Sequence, residues 1–164
     1  MAQKDYIVKN ANIEYEGLFC FDDVYKHIKT WLARRGYGMQ ESGYKEVKAE
    51  SRNIKISIDA MKEASDYVMF LIELSIKLED LKEVKKKGDK KIWHNGKLKI
   101  SFSGLTVKDF ENQWSKNAVT IFIREAYDKF VIGSKLSAME KQLEEDIYKF
   151  TNELKSFLKL LKLW

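Results

Sequence analysis

Residues 67–79 read Tyr67-Val68-Met69-Phe70-Leu71-Ile72-Glu73-Leu74-Ser75-Ile76-Lys77-Leu78-Glu79, and the fold class turns on whether this run is helix or strand. Its β-branched and aromatic content favours a strand. The apolar centre then belongs to the best-buried strand of a sheet, and the alternation from Ile72 to Leu78 marks its exit toward solvent. Just upstream, Ile54, Ile56, Ile58 and Ala60 alternate with Lys55, Ser57 and Asp59, the pattern of a strand with one wet face. Ser51-Arg52-Asn53 reads as a tight turn back to an earlier strand through Tyr44, Val47 and Ala49. Downstream, Lys87-Gly88-Asp89-Lys90 reads as a hairpin turn and Asn95-Gly96 as a second turn or a bulge. Leu98, Ile100 and Phe102 follow as another half-wet strand reaching toward Val107.

Helical periods flank this block. Val24, Ile28, Trp31 and Leu32 share one face of a helix over 22–35, with Asp22 and Asp23 as cap or first-turn anions. Arg34 and Arg35 close the helix and Gly36 follows it. Before it, alternation from Ala11 to Tyr15 reads as a strand that Gly17 bends or ends, and after it Gly36, Gly38 and Gly43 read as a loop. Ala118 to Phe130 keeps a helical period with Gly133 as its stop. A last helix begins near Ser137 and carries one stripe from Leu136 through Met139, Leu143, Ile147, Phe150, Leu154 and Phe157 to Leu161 and Trp164. A helix this long must bury its stripe against something.

The expected order is β-α-β-β-β-β-α-α over one α+β domain, 1–164. Its antiparallel sheet has about five to six strands, with the long C-terminal helix packed on it. That order resembles the helix-grip fold of the START-like and birch-pollen-allergen-like proteins. The resemblance lies in element order alone. It implies a sheet wrapped round the last helix and an apolar ligand cavity; the helix expected at 116–131 departs from that pattern, and no site residue is carried over. Composition agrees with a globule: 164 residues, 45% apolar and 34% charged, enough to bury a core without a metal or disulfide.

Little points to catalysis. Two histidines and one cysteine, Cys20, are too few for a zinc site, so no metal and no cofactor is expected. Gly36-Tyr37-Gly38 follows a helix, whereas a phosphate cradle needs glycines leading into one. The acidic clusters sit where exposure or a helix start explains them. No catalytic residue is therefore assigned, which tilts the reading away from an enzyme without excluding one. A lone cysteine and an N-terminus without an apolar run point to the cytoplasm, and no apolar stretch is long enough to span a bilayer.

The expected function is binding. The first surface is an apolar groove lined by Val68, Phe70 and Ile72 on the sheet and Met139, Leu143, Ile147 and Phe150 on the last helix. It would take a protein partner, a second copy through the C-terminal helix, or a small apolar ligand. The alternative is nucleic acid on a basic hairpin. Residues 81–99 hold eight lysines against Glu83 and Asp89, which concentrates the chain's net charge of +5 in one segment. Its candidate contacts are Lys85, Lys86, Lys87, Lys90, Lys91 and Lys97, with Trp93 and His94 interleaved.

Overall fold

The structure is a computed structural model, and it describes residues 3–48, 50–65, 67–85, 87–108 and 133–161. β1 (Gln3–Phe19) leads into α1 (Phe21–Arg34), followed by β2 (Gly38–Lys48), β3 (Arg52–Glu63), β4 (Val68–Val84) and β5 (Trp93–Lys108), and α2 (Gly133–Leu161) comes last. The chain is α+β. The described strands form one antiparallel sheet in the order β1-β5-β4-β3-β2. Strands β2 to β5 pair as a meander, and β1 closes onto the last strand, from Gln3↔Lys108 to Phe19↔His94. The helix expected at 118–130 lies outside the described residues.

Period-2 alternation sets the inner face. Ile54, Ile56, Ile58 and Ala60 of β3 lie beside Phe70, Ile72, Leu74, Ile76 and Leu78 of β4, then Leu98, Ile100 and Phe102 of β5, all buried. Both helices cover this face. α1 contributes Val24, Ile28, Trp31 and Leu32, and α2 contributes Leu143, Ile147, Phe150, Leu154 and Leu158. The helices run antiparallel to each other: Arg35 meets Asp146 at 3.9 Å, Trp31 meets Phe150 at 4.5 Å and His27 stacks on Phe157 at 4.7 Å. Each fully buried Leu, Ile or Phe in this layer contributes about 1.5–3 kcal/mol. A smaller cluster, Leu71, Leu105 and Val107 with Met61 and Met69 packed against it, lies on the other face. Beyond Phe102, β5 is therefore buried on both sides instead of half-wet.

Several boundaries differ from expectation for physical reasons. The cap of α1 is Cys20, whose carbonyl accepts from Asp23 N and Val24 N, so Asp22 and Asp23 sit in the first turn. At the other end Gly36, at φ +85°, donates to Ala33 O while Tyr37 N donates to Leu32 O, a six-to-one closure that satisfies two end carbonyls. β2 begins at Gly38, inside the expected glycine loop; as an edge strand with both faces largely wet it shows no alternation. The following turn falls earlier than Ser51-Arg52-Asn53, because Arg52 already pairs with Lys48. Gly17 lies within β1 and does not end it. Asn95-Gly96 lies inside β5, and the irregularity is on its partner: Glu79 pairs with Lys97 and Lys82 with Asn95, which leaves Asp80 and Leu81 opposite Gly96. α2 starts at Gly133, four residues before Ser137, and its first turn buries Leu136.

Candidate functional site

The residues expected to line a groove do meet, and they meet as core. Val68, Phe70, Ile72, Leu143, Ile147 and Phe150 are buried at 2% exposure or less, and Met139 is partly buried. Phe150 packs on Phe102 at 5.5 Å as well as on Trp31. The approach is so close at Gly104 of β5 that a Cβ there would run into Ile147 Cδ1. The stripe of α2 from Leu136 to Phe157 is thus used within its own fold, the Leu161 and Trp164 side chains lie outside the described residues, and the side left to solvent carries Lys141, Glu144, Glu145, Tyr148 and Lys149.

One open space lies at the end of the sheet beside the start of α1. A pocket of about 240 Å³ has a floor of Ile54, Ile56, Leu78 and Leu81. Phe21 and Asp22 of α1, Tyr44 of β2, Arg52 of β3, and Glu83, Ile92 and His94 from the two arms of the β4–β5 hairpin make its walls and rim. The two-against-one bulge at Asp80-Leu81 builds this floor. It restores the inward phase after Glu79, so that Leu81 is buried where an unbroken strand would turn it outward. The bulge is fastened from the β2–β3 turn and the start of β3: Ser51 Oγ donates to Asp80 Oδ1 at 2.9 Å and Asp80 N donates to Asn53 Oδ1 at 3.0 Å. Asp80 itself holds φ +54°, a left-handed conformation that Asp tolerates better than most residues.

The rim is polar and specific. Arg52 Nε donates to Glu46 Oε1 at 2.6 Å, and Tyr44 Oη donates to Glu46 Oε2 at 2.9 Å. Those bonds hold the Glu46 carboxyl below the usual carboxylate range. Arg52 is thereby already matched to an anion, whereas Asp22 and Glu83 have no ion pair among the described residues. His94 points inward with the alternating set of β5, its ring 6.3 Å from that of Phe19. Its Nδ1 is buried and has no hydrogen-bond partner among the described residues. Burial, and then the Arg52 guanidinium, push the His94 pKa below 6.5, against a weaker pull from Glu83 and Asp22. The His94 ring thus lines the rim above an aliphatic floor, while its unmet Nδ1 is closed off from the pocket.

The basic hairpin does not present one face. Lys91 Nζ is bound to Asp23 at 3.0 Å, and Trp93 Nε1 donates to Asp89 Oδ2 at 2.8 Å. His94 faces the pocket, and Lys97 stands exposed on the outer face, in register with Glu16 and Glu79. Lys85, Lys87 and Lys90 are exposed near the tip, and Lys86 lies outside the described residues. Cys20 is 1% exposed, and burial pushes its thiol pKa up, so it is a poor nucleophile. Among the described residues no group of three or more His, Cys, Asp or Glu side chains is placed to hold a metal ion, and no helix is long and apolar enough to cross a membrane.

Sequence reasoning found His94 but assigned it to a different surface, and it missed Leu81, Asp22 and Arg52. Only the Asn95-Gly96 pair hinted at the bulge that makes the floor. Comparison with protein-family models, with curated proteins and with solved structures finds no match for this chain.

Proposed function

We propose that this protein is a non-catalytic binding module that takes a small, mainly apolar ligand into the pocket between the start of α1 and the β2–β5 end of the sheet. The observation that carries the reading is the aliphatic floor of Ile54, Ile56, Leu78 and Leu81 within a polar rim that includes Arg52, Asp22 and the His94 ring. The volume, about 240 Å³, lies just under the usual range for drug-sized ligands, so the occupant is a single ring or a short chain. With Arg52 matched to Glu46, the rim favours a neutral or cationic polar end over a carboxylate. The sheet order, with β1 beside the last strand and both helices on one face, supports a helix-grip relationship, although this pocket has no residue of the last helix in its lining. One buried, unpaired cysteine fits a reducing compartment such as the cytoplasm.

Calorimetric titration with indole, phenol, hexylamine and hexanoate tests the reading. Binding of indole or hexylamine, weaker binding of hexanoate, and loss of both on Ile56→Trp are expected. No heat from any of the four would count against the pocket as a ligand site.

A second reading keeps nucleic acid as the partner, favoured by Lys85, Lys87 and Lys90 standing exposed near the hairpin tip without an ion pair among the described residues. Binding to single-stranded RNA that weakens steeply with salt, and weakens further in Lys85→Glu/Lys90→Glu, would support it.

A further inference from the structure

On α1 the residues Asp23, Lys26, His27, Thr30, Trp31 and Arg34 follow the helical spacing i, i+3, i+4, i+7, i+8 and i+11, and so form one face. With Glu153 and Phe157 of α2 and Lys91 of the β4–β5 connection, that face bounds a second cleft, of about 310 Å³. Three cations from two elements line it. Lys91 contacts both oxygens of Asp23, at 3.3 and 3.0 Å, so the Asp23 charge is already met. Glu153 is then the remaining acidic residue lining the cleft with Lys26 and Arg34, which leaves a cation in excess.

Beneath the cleft lie two closed-off polar atoms without a partner among the described residues. The His27 ring stacks on Phe157 with an interplanar angle of 12°, and its Nε2 is buried without a hydrogen-bond partner among the described residues. Trp31, 5% exposed, also lines the cleft, and its indole N–H, which can only donate, meets no acceptor there. Burial holds the His27 pKa below 6.5, Arg34 adds to that, and Glu153 opposes it. Surplus positive charge above an unmet indole N–H calls for an acceptor that carries negative charge.

We propose that this cleft between α1 and α2 binds the oxyanion of a small ligand, a phosphate or a carboxylate, held by Lys26 and Arg34 over His27 and Trp31. It shares no residue with the pocket at the other side of α1, so either site can stand without the other.

The test follows the imidazole signals of His27 and His94 by NMR in the full chain. Sodium phosphate and, separately, sodium acetate are titrated at constant ionic strength against a sodium chloride control. A saturable shift of His27, a rise in its apparent pKa and a still His94 are expected. Lys26→Gln/Arg34→Gln, at two exposed positions, should weaken the affinity about tenfold or more while leaving the fold intact. Saturation by phosphate alone, by acetate alone or by both supports the site and names the oxyanion. No saturation, an equal response to chloride, or unchanged affinity in the double variant overturns it.

Discussion

Gly96→Ala probes the bulge that shapes the pocket. Gly96 faces two residues of β4, Asp80 and Leu81, where every neighbouring pair is one-to-one. A Cβ at this position would lie 2.8 Å from Glu79 O and 3.1 Å from Asp80 O. Both obstacles are backbone, so no side-chain rotation relieves them, and overpacking of this kind costs about 1–3 kcal/mol. Gly96 does not hold a positive φ, so alanine also gains about 0.4–1 kcal/mol by restricting the unfolded chain. The net expectation is a loss of about 1–2 kcal/mol, or roughly 3–6 °C in Tm for a chain of this size. Gly43→Ala is the control: it has an ordinary φ, and its nearest new neighbours are Ser57 Cβ and Oγ at 3.6 Å, so it should be neutral or slightly stabilising. Urea unfolding followed by tryptophan fluorescence measures both. A Gly96→Ala variant as stable as the parent, or a Gly43→Ala variant equally damaged, would refute the packing described for the bulge.

Other expectations follow from the same geometry. Phe150→Ala, which empties a site against Trp31 and Phe102, should cost about 3–5 kcal/mol by denaturant unfolding. The native pKa values of His27 and His94 lie below the unfolded value of 6.5, so the unfolded chain takes up more protons under mild acid. Stability should be fully present above pH 6.5 and fall progressively below it, and a His94→Gln variant should flatten that slope in thermal melts at stepped pH. Cys20 should resist a thiol reagent in the native state and react on unfolding, since the site is buried and its thiol is held protonated.

What was legible in the sequence was legible because a local pattern matched a local cause. The alternation at Ile54–Ala60 and Leu98–Phe102 and the helical period at Val24–Leu32 each report which side of an element is covered, and the structure covers those sides. β2 was harder, because an edge strand wet on both faces has no period to read. Gly133 reads as a helix stop, yet packing of Leu136 draws the helix back to include it.

Site residues fared differently from core residues. Periodicity named the inward side chains of β4, and those of α2 from Leu136 to Phe157, but it cannot tell whether facing side chains leave a gap or fill it. At Gly104 and Ile147 they fill it. The pocket instead gathers Asp22, Arg52, Leu81 and His94 from four separate elements, and Leu81 reaches it only because a bulge reverses its phase. No short-range pattern encodes such a meeting.

The most direct measurement is methyl NMR of the isoleucine- and leucine-labelled chain during titration with indole. Shifts confined to Ile54, Ile56, Leu78 and Leu81, with Leu143 and Ile147 silent, are the expected result. Shifts centred on Leu143 and Ile147, or none at all, would contradict a ligand pocket beside the start of α1.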